Sequence, residues 1–284
     1  MFFAADNPLP FPVNTVGCDS PSSEKVALVG PNGMTSSAHP CFEHATLTDL
    51  IDNPPAGARK GISWRYYTPN EGGLWSAPDA VRHMCRPGGT PVKCQGPDWT
   101  DGKIVLNPAE VLTDVTQNRL ASVSWVIPTG AESDHAGGND GSGPSWVASV
   151  VNSIGNSAYW KNTVILIAWD DWGGWYDHVP PPLDPNYGYI ENGFRVPLLV
   201  VSAYTPAGYV SQQTHTFGSI VKFIETAFGL PVIPPGTFQD ARSDDLSDFF
   251  NFSAPPRTFQ MAPAPLGPEF FLHDHRPPVD PDSE

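Results

Sequence analysis

The sequence predicts an α/β fold: a doubly wound, mostly parallel sheet with helices on both faces. Three observations carry that expectation. Val164-Ile165-Leu166-Ile167-Ala168-Trp169 is an unbroken apolar run, the pattern of a strand covered on both faces. A second continuous apolar run occupies 196–202. From Asn107 onward, strand and helix patterns alternate, as they do where helices connect neighbouring strands of one sheet.

The elements follow in order. Residues 1–106 form a loop-rich segment packed on the core, with a strand expected at 25–29 and a short helix at 48–52 that Thr46 or Thr48 caps. The aromatic run Ile62-Ser63-Trp64-Arg65-Tyr66-Tyr67 suits a strand, and 79–83 a helical turn. In the core, 107–253, a helix at 108–117 opens on proline. A strand at 121–127 stops at Pro128, and an amphipathic helix covers 145–154. The strand at 163–169, the strand at 196–202 and a helix at 218–228 stopped by Gly229 complete it. Residues 254–284 read as a Pro-rich, poorly ordered or surface-hugging arm.

With 284 residues the chain can bury a real core. Its 33 prolines and 26 glycines call for long loops between few regular elements. The net charge of -15 argues against a nucleic-acid partner, because nothing neutralises phosphates over an extended surface. A small phosphate-bearing substrate stays open, since a bound cation reverses the local field. No apolar run approaches the ~20 residues that span a bilayer. Oligomeric state leaves no mark in the sequence. The four cysteines fall in two sequence pairs, Cys18 and Cys41, Cys85 and Cys94, none with Cys-x-x-Cys spacing. An even count in loops leans towards disulfides and an oxidising compartment, with the connectivity open. Yet Met1-Phe2-Phe3-Ala4-Ala5-Asp6 has neither the basic start nor the apolar stretch of a signal peptide.

Chemistry is expected where strands end. The run at 163–169 stops at Asp170-Asp171 and then Gly173-Gly174. Open α/β sheets bind ligands beyond the carboxyl ends of their strands. Paired carboxylates there suit a hard metal ion, calcium or magnesium by their oxygen donors, and a phosphate or sugar ester. Ser133-Asp134-His135 follows the strand at 121–127. If that strand lies parallel to 163–169, Asp134 and His135 converge on Asp170 and Asp171 as a metal-assisted hydrolase requires. Asp177-His178 precedes three prolines, and its expected part is supporting, with the aspartate orienting the histidine. His215, ahead of a helix, receives no role beyond that of a cap. Gly-x-Ser-x-Gly, Walker and His-Glu-x-x-His patterns are absent.

In order, Ser124-Trp125-Val126-Ile127-Pro128, Ser133-Asp134-His135, Trp169-Asp170-Asp171-Trp172-Gly173-Gly174-Trp175-Tyr176-Asp177-His178-Val179 and Gly193-Phe194-Arg195-Val196-Pro197-Leu198 resemble the bacterial phosphoesterase family of phospholipases C and acid phosphatases. Pro40-Cys41-Phe42 and Ser63-Trp64-Arg65-Tyr66-Tyr67 resemble a subgroup of it. The resemblance implies an alkaline-phosphatase-like fold, a secreted or periplasmic location and metal-dependent hydrolysis of a phosphate ester through a phospho-enzyme. It also implies metal ligation by Asp170 and Asp171 and a phosphoryl contact by His135. The substrate class would be a small phosphate ester or a phospholipid.

Family members open with a strand ending in a Glu-Asn metal pair and then present a Ser or Thr nucleophile in a Gly-Pro-Ser-like loop. Glu191-Asn192 stands in the wrong context, and Gly143-Pro144-Ser145 follows the Ser-Asp-His segment, where a helix should start. The expectation is therefore an N-terminally truncated chain with an incomplete sheet, an unknown nucleophile and little activity alone. The alternatives are a non-catalytic remnant or binding domain that keeps the fold, and a complete hydrolase, on sugar esters for example, that uses a local serine.

Overall fold

One strand organises the core by using both of its faces. Trp64 and Tyr66 lie in a buried apolar cluster with Leu47, Ile51, Val81 and Met84, whereas Tyr67 lies in a second cluster with Leu112, Trp146 and Phe271. Alternate side chains of a strand point to opposite faces, so this strand is covered on both sides, as an α/β architecture requires. The computed structural model describes residues 2–3, 17–29, 34–72, 75–135, 139–183 and 192–277.

The strands are β1 Phe2–Phe3, β2 Val26–Val29, β3 Thr35–Ala38, β4 Trp64–Tyr67, β5 Pro87–Gly88, β6 Lys93–Cys94, β7 Ile104–Val105, β8 Val123–Val126, β9 Val164–Ala168 and β10 Leu198–Ser202. The helices are α1 Leu47–Asp52, α2 Arg82–Cys85, α3 Pro97–Thr100, α4 Glu110–Thr116, α5 Gly143–Gly155, α6 Phe217–Phe228 and α7 Pro268–Leu272. Among the described residues there are four sheets. β7-β4-β8 is parallel with β4 central, and β1-β2-β3, β5-β6 and β9-β10 are antiparallel. The chain is thus a mixed α/β protein with a parallel sheet, and that sheet joins residues on both sides of position 106.

Local chemistry explains the element ends. Thr46 caps α1 in a reciprocal box with Asp49. Gly229 ends α6 at φ 66°, the left-handed conformation that glycine adopts without strain. Gly143 and Pro144 open α5, so Gly143-Pro144-Ser145 is a helix start as expected. The turn expected at 79–83 is split at Val81, between a 3₁₀ turn Ala77–Ala80 and α2. Val81 is buried and extended because it bridges Phe42 in parallel.

The strands at 121–127 and 163–169 are not hydrogen-bonded to each other among the described residues. β8 pairs with β4, whereas β9 pairs antiparallel with β10, Leu198 opposite Ala168 and Ser202 opposite Val164. A continuous apolar run reports burial and not direction, so the chain's return through 198–202 decides the pairing. The segment from 254 to 277 is fastened to the core. Asn152 exchanges two hydrogen bonds with the Ala262 backbone (2.9 and 2.8 Å), and Phe271 packs edge-on against Trp146. Residues 278–284 and Glu191 lie outside the described residues.

Both cysteine pairs are disulfides, Cys18–Cys41 and Cys85–Cys94, and their sulfurs cluster. Asp79, wholly buried, places Oδ1 3.4 and 2.9 Å from the sulfurs of Cys85 and Cys94. A half-cystine sulfur has no proton to give, so the carboxyl must hold its own. Burial, reinforced by the negative charge of Asp19, pushes Asp79 up to about 8.

Candidate active site

One hydrogen bond links the loop after β8 to the carboxyl end of β9. Trp169 follows the strand, and its indole Nε1 donates to Asp134 Oδ2 at 3.2 Å. That bond joins the loop after β8 to the end of β9, although the two strands lie in different sheets. Asp134 has φ 67°, a left-handed conformation that aspartate tolerates better than most residues. His135, half-buried, donates its backbone N–H to Ser133 Oγ at 3.1 Å. Ser133 in turn donates to Gly130 O at 2.9 Å, so its hydroxyl is committed within the loop.

Asp170 and Asp171 are exposed at the strand end. Asp171 Oδ1 accepts the Gly173 N–H at 2.6 Å, a turn that Gly173 and Gly174 complete at φ 61° and 73°. A residue without a Cβ adopts those angles freely. The glycine pair therefore turns the chain sharply just past the acidic pair.

Asp177 binds Arg195 and not His178. Arg195 Nε and Nη2 each donate to its carboxylate at 2.8 Å, and the Arg195 and Val179 backbone N–H groups donate as well. The Arg195 guanidinium holds the Asp177 carboxyl well below the usual carboxylate range. His178 packs edge-on against Tyr176 at 5.1 Å, and Phe194 packs against Trp172 at 5.7 Å. The loop after β9 and the segment leading into β10 are thus one cross-braced unit.

Asp170, Asp171 and His135 do not form a three-ligand set among the described residues. Two other groups do: Asp79 with Cys85 and Cys94, and His215 with Asp244 and Asp248. The first has both sulfurs in a disulfide and is no metal site. The second is a cluster that sequence spacing did not expose, because its members stand 29 and 33 residues apart in sequence. Its only local signal is Ser211 four residues before His215. A cleft of 820 Å³ between α5 and the arm, lined by Ser149, Asn152, Asn156 and Met261 among others, contains no charged side chain.

Residues 29–231 match the model of the Phosphoesterase family. Phospholipase C B of Mycobacterium tuberculosis is 32% identical over 171 residues, which cover 52% of this chain and 33% of that protein. A non-hemolytic phospholipase C of Burkholderia pseudomallei is 30% identical over 203 residues, 59% of this chain and 28% of the relative. The non-specific phospholipase C1 of Arabidopsis thaliana is 33% identical over 96 residues, 29% and 18% of the two chains. The matched part of the chain spans a third or less of these relatives.

Proposed function

We propose that this chain, which belongs to the phosphoesterase family, carries part of the site of a metal-assisted phosphate-ester hydrolase of the phospholipase C or acid phosphatase type. The observation that supports it most is the Trp169–Asp134 hydrogen bond. It ties the loop that carries His135 to the strand end that carries Asp170 and Asp171, which supports an imidazole and two carboxylates acting together.

Asp170 and Asp171 are the ligands of a divalent cation. Their all-oxygen chemistry and exposed position fit a hard ion, calcium or magnesium. When bound, the cation supplies positive charge to the phosphoryl oxygens. His135 contacts the phosphoryl group, where an imidazole stabilises charge or moves a proton. Asp134 fixes the Trp169 indole and thereby the direction in which the next two residues leave the strand. Asp177 and His178 support the loop, the first by pinning Arg195. Ser133 is spent on Gly130, so the reading assigns the nucleophile and the remaining metal ligands to other segments.

The substrate is a small phosphate ester or a phospholipid. The net charge of -15 disfavours nucleic acid, and no described helix is long and apolar enough to cross a membrane. Two disulfides favour a secreted or periplasmic setting. The reading also takes β4 and the β9-β10 pair as parts of one doubly wound, alkaline-phosphatase-like sheet. The double coverage of β4 supports this, as do the apolar residues that β9 and β10 leave half-exposed, Leu199 at 50%. A non-catalytic domain that keeps the fold is the second reading, favoured by the lack, among the described residues, of a third ligand grouped with Asp170 and Asp171.

An aryl phosphate and an aryl phosphodiester, assayed with added calcium or magnesium, separate these readings when paired with a metal-dependent melting curve. The proposal expects a rise in melting temperature that Asp170→Asn removes, with turnover near background. Robust turnover abolished by Asp170→Asn would place a nucleophile within this chain. The absence of any metal response would favour the non-catalytic domain.

A further inference from the structure

We propose that His215, Asp248 and Ser211 form a second divalent-cation site, with Asp244 orienting the imidazole. This inference is independent of the reading of Asp170 and Asp171. His215 Nδ1 lies 2.9 Å from Asp244 Oδ2, which fixes the ring and turns Nε2 inward. A carboxylate on the far nitrogen is the usual support of a metal-binding histidine. Nε2 faces Asp248 Oδ1 at 3.8 Å, and that oxygen is out of solvent contact with no hydrogen-bond partner. Two bonds of about 2.0–2.2 Å to one zinc-like ion meet across that gap.

Ser211 completes the set and shows why the group is not a nucleophilic triad. Its Oγ lies 2.8 Å from His215 Nε2, so Ser211, His215 and Asp244 line up as a Ser-His-Asp series. A triad needs the serine proton to point at the imidazole. Here the hydroxyl donates it to Asp248 Oδ2 at 2.6 Å, and Oγ also accepts the Gln213 N–H at 3.1 Å. Nε2 therefore meets a serine lone pair and a buried carboxylate oxygen. That arrangement asks for a positive charge at Nε2, either a proton or a metal ion.

The surroundings are built for a cation. Tyr209 donates to Asp248 Oδ2 at 3.0 Å, Ser219 donates to Asp244 Oδ1 at 2.5 Å, and the Leu246 N–H donates to Asp244 Oδ2 at 3.0 Å. The Phe249 ring packs on His215 at 5.1 Å and shields it from water. No lysine or arginine pairs with Asp244 or Asp248 among the described residues. Among the described residues, two carboxylates share one imidazole as their ion-pair partner, with neutral hydrogen-bond donors around them. Imidazole with carboxylate and hydroxyl oxygen suits zinc and its neighbours more than calcium.

Cobalt(II) is the probe, because a bound histidine gives its visible absorption a shape that water ligands do not. Titrating the chain with cobalt should give one saturating equivalent with a new visible band, and zinc should displace it. His215→Gln and Asp248→Asn should each weaken binding at least tenfold. Asp244→Asn should weaken it about 10–100-fold, the range for a support that acts through the ring. The Asp170→Asn/Asp171→Asn double variant should keep the band. If a variant fails to fold, the wild-type His215 ring resonances, followed by NMR during zinc titration, supply the same answer. A spectrum of hexaaquo cobalt only, a band that survives both His215→Gln and Asp248→Asn, or His215 resonances unmoved by zinc would overturn the proposal and leave a proton as the cation.

Discussion

The parallel sheet around β4 and the β9-β10 hairpin are built on opposite terms. Around β4 the side chains are buried on both faces, two disulfides tie the adjoining loops, and Tyr67 and Asp114 are wholly inaccessible. At the hairpin the strands are only half-buried, and Trp175 and Tyr176 are each 77% exposed. Yet the hairpin and its loop carry most of the residues by which the family is recognised. Burial is concentrated in the motif-poor half and the proposed chemistry in the half with least covering, so substitutions in the two regions should differ in kind.

The sharpest test of that contrast removes Asp114. Tyr67 donates to it at 2.6 Å, and Arg65 and Arg119 pair with it. Asp114→Ala strands a buried hydroxyl and loosens two cations, and it should cost about 3–5 kcal/mol in denaturant unfolding. Replacing Cys85 and Cys94 by serine should cost less, about 2–3 kcal/mol, because the closed loop is short, with a sequence separation of 9.

A pH series sharpens the comparison further. The folded value of Asp79 is raised from 3.8 to about 8. The folded state therefore holds a proton that the unfolded chain has released, and the stabilisation, complete below the unfolded value, is lost as pH rises through about 8. Melting temperature should fall between pH 5 and 9, by several degrees in a chain of this size. Asp79→Asn should flatten that fall. An equal slope in the variant would assign the pH dependence elsewhere. At the small end of the scale, Trp175→Ala should change stability by less than about 0.5 kcal/mol, and a larger loss would show that the exposed loop is part of the stable core.

Much of this division was legible in the residues. Strands β4, β8, β9 and β10 fall within the expected ranges, and helices α1, α5 and α6 overrun theirs by at most two residues at either end, because their signals are local: Thr46 with Asp49, Pro144, Gly229 and the apolar runs. The loop after β8 reaches the end of β9 through Asp134 and Trp169. Strand pairing was not legible, since an apolar run can lie parallel or antiparallel. Nor was the partner of Asp177: Arg195 is 18 residues away and outcompetes the adjacent His178 by offering two donors in one plane. The His215 cluster escaped for the same reason, its members being joined only by folding.

The central claim is that Asp170 and Asp171 place a divalent cation beside a phosphate ester. Phosphorus-31 line broadening of glycerophosphocholine by manganese(II) in the presence of this chain tests it most directly, since no turnover is required. The account predicts broadening well above that of free manganese, lost in the Asp170→Asn/Asp171→Asn variant and retained in His215→Gln. Broadening that is equal in the wild type and the double variant, or no greater than that of free manganese, would contradict it.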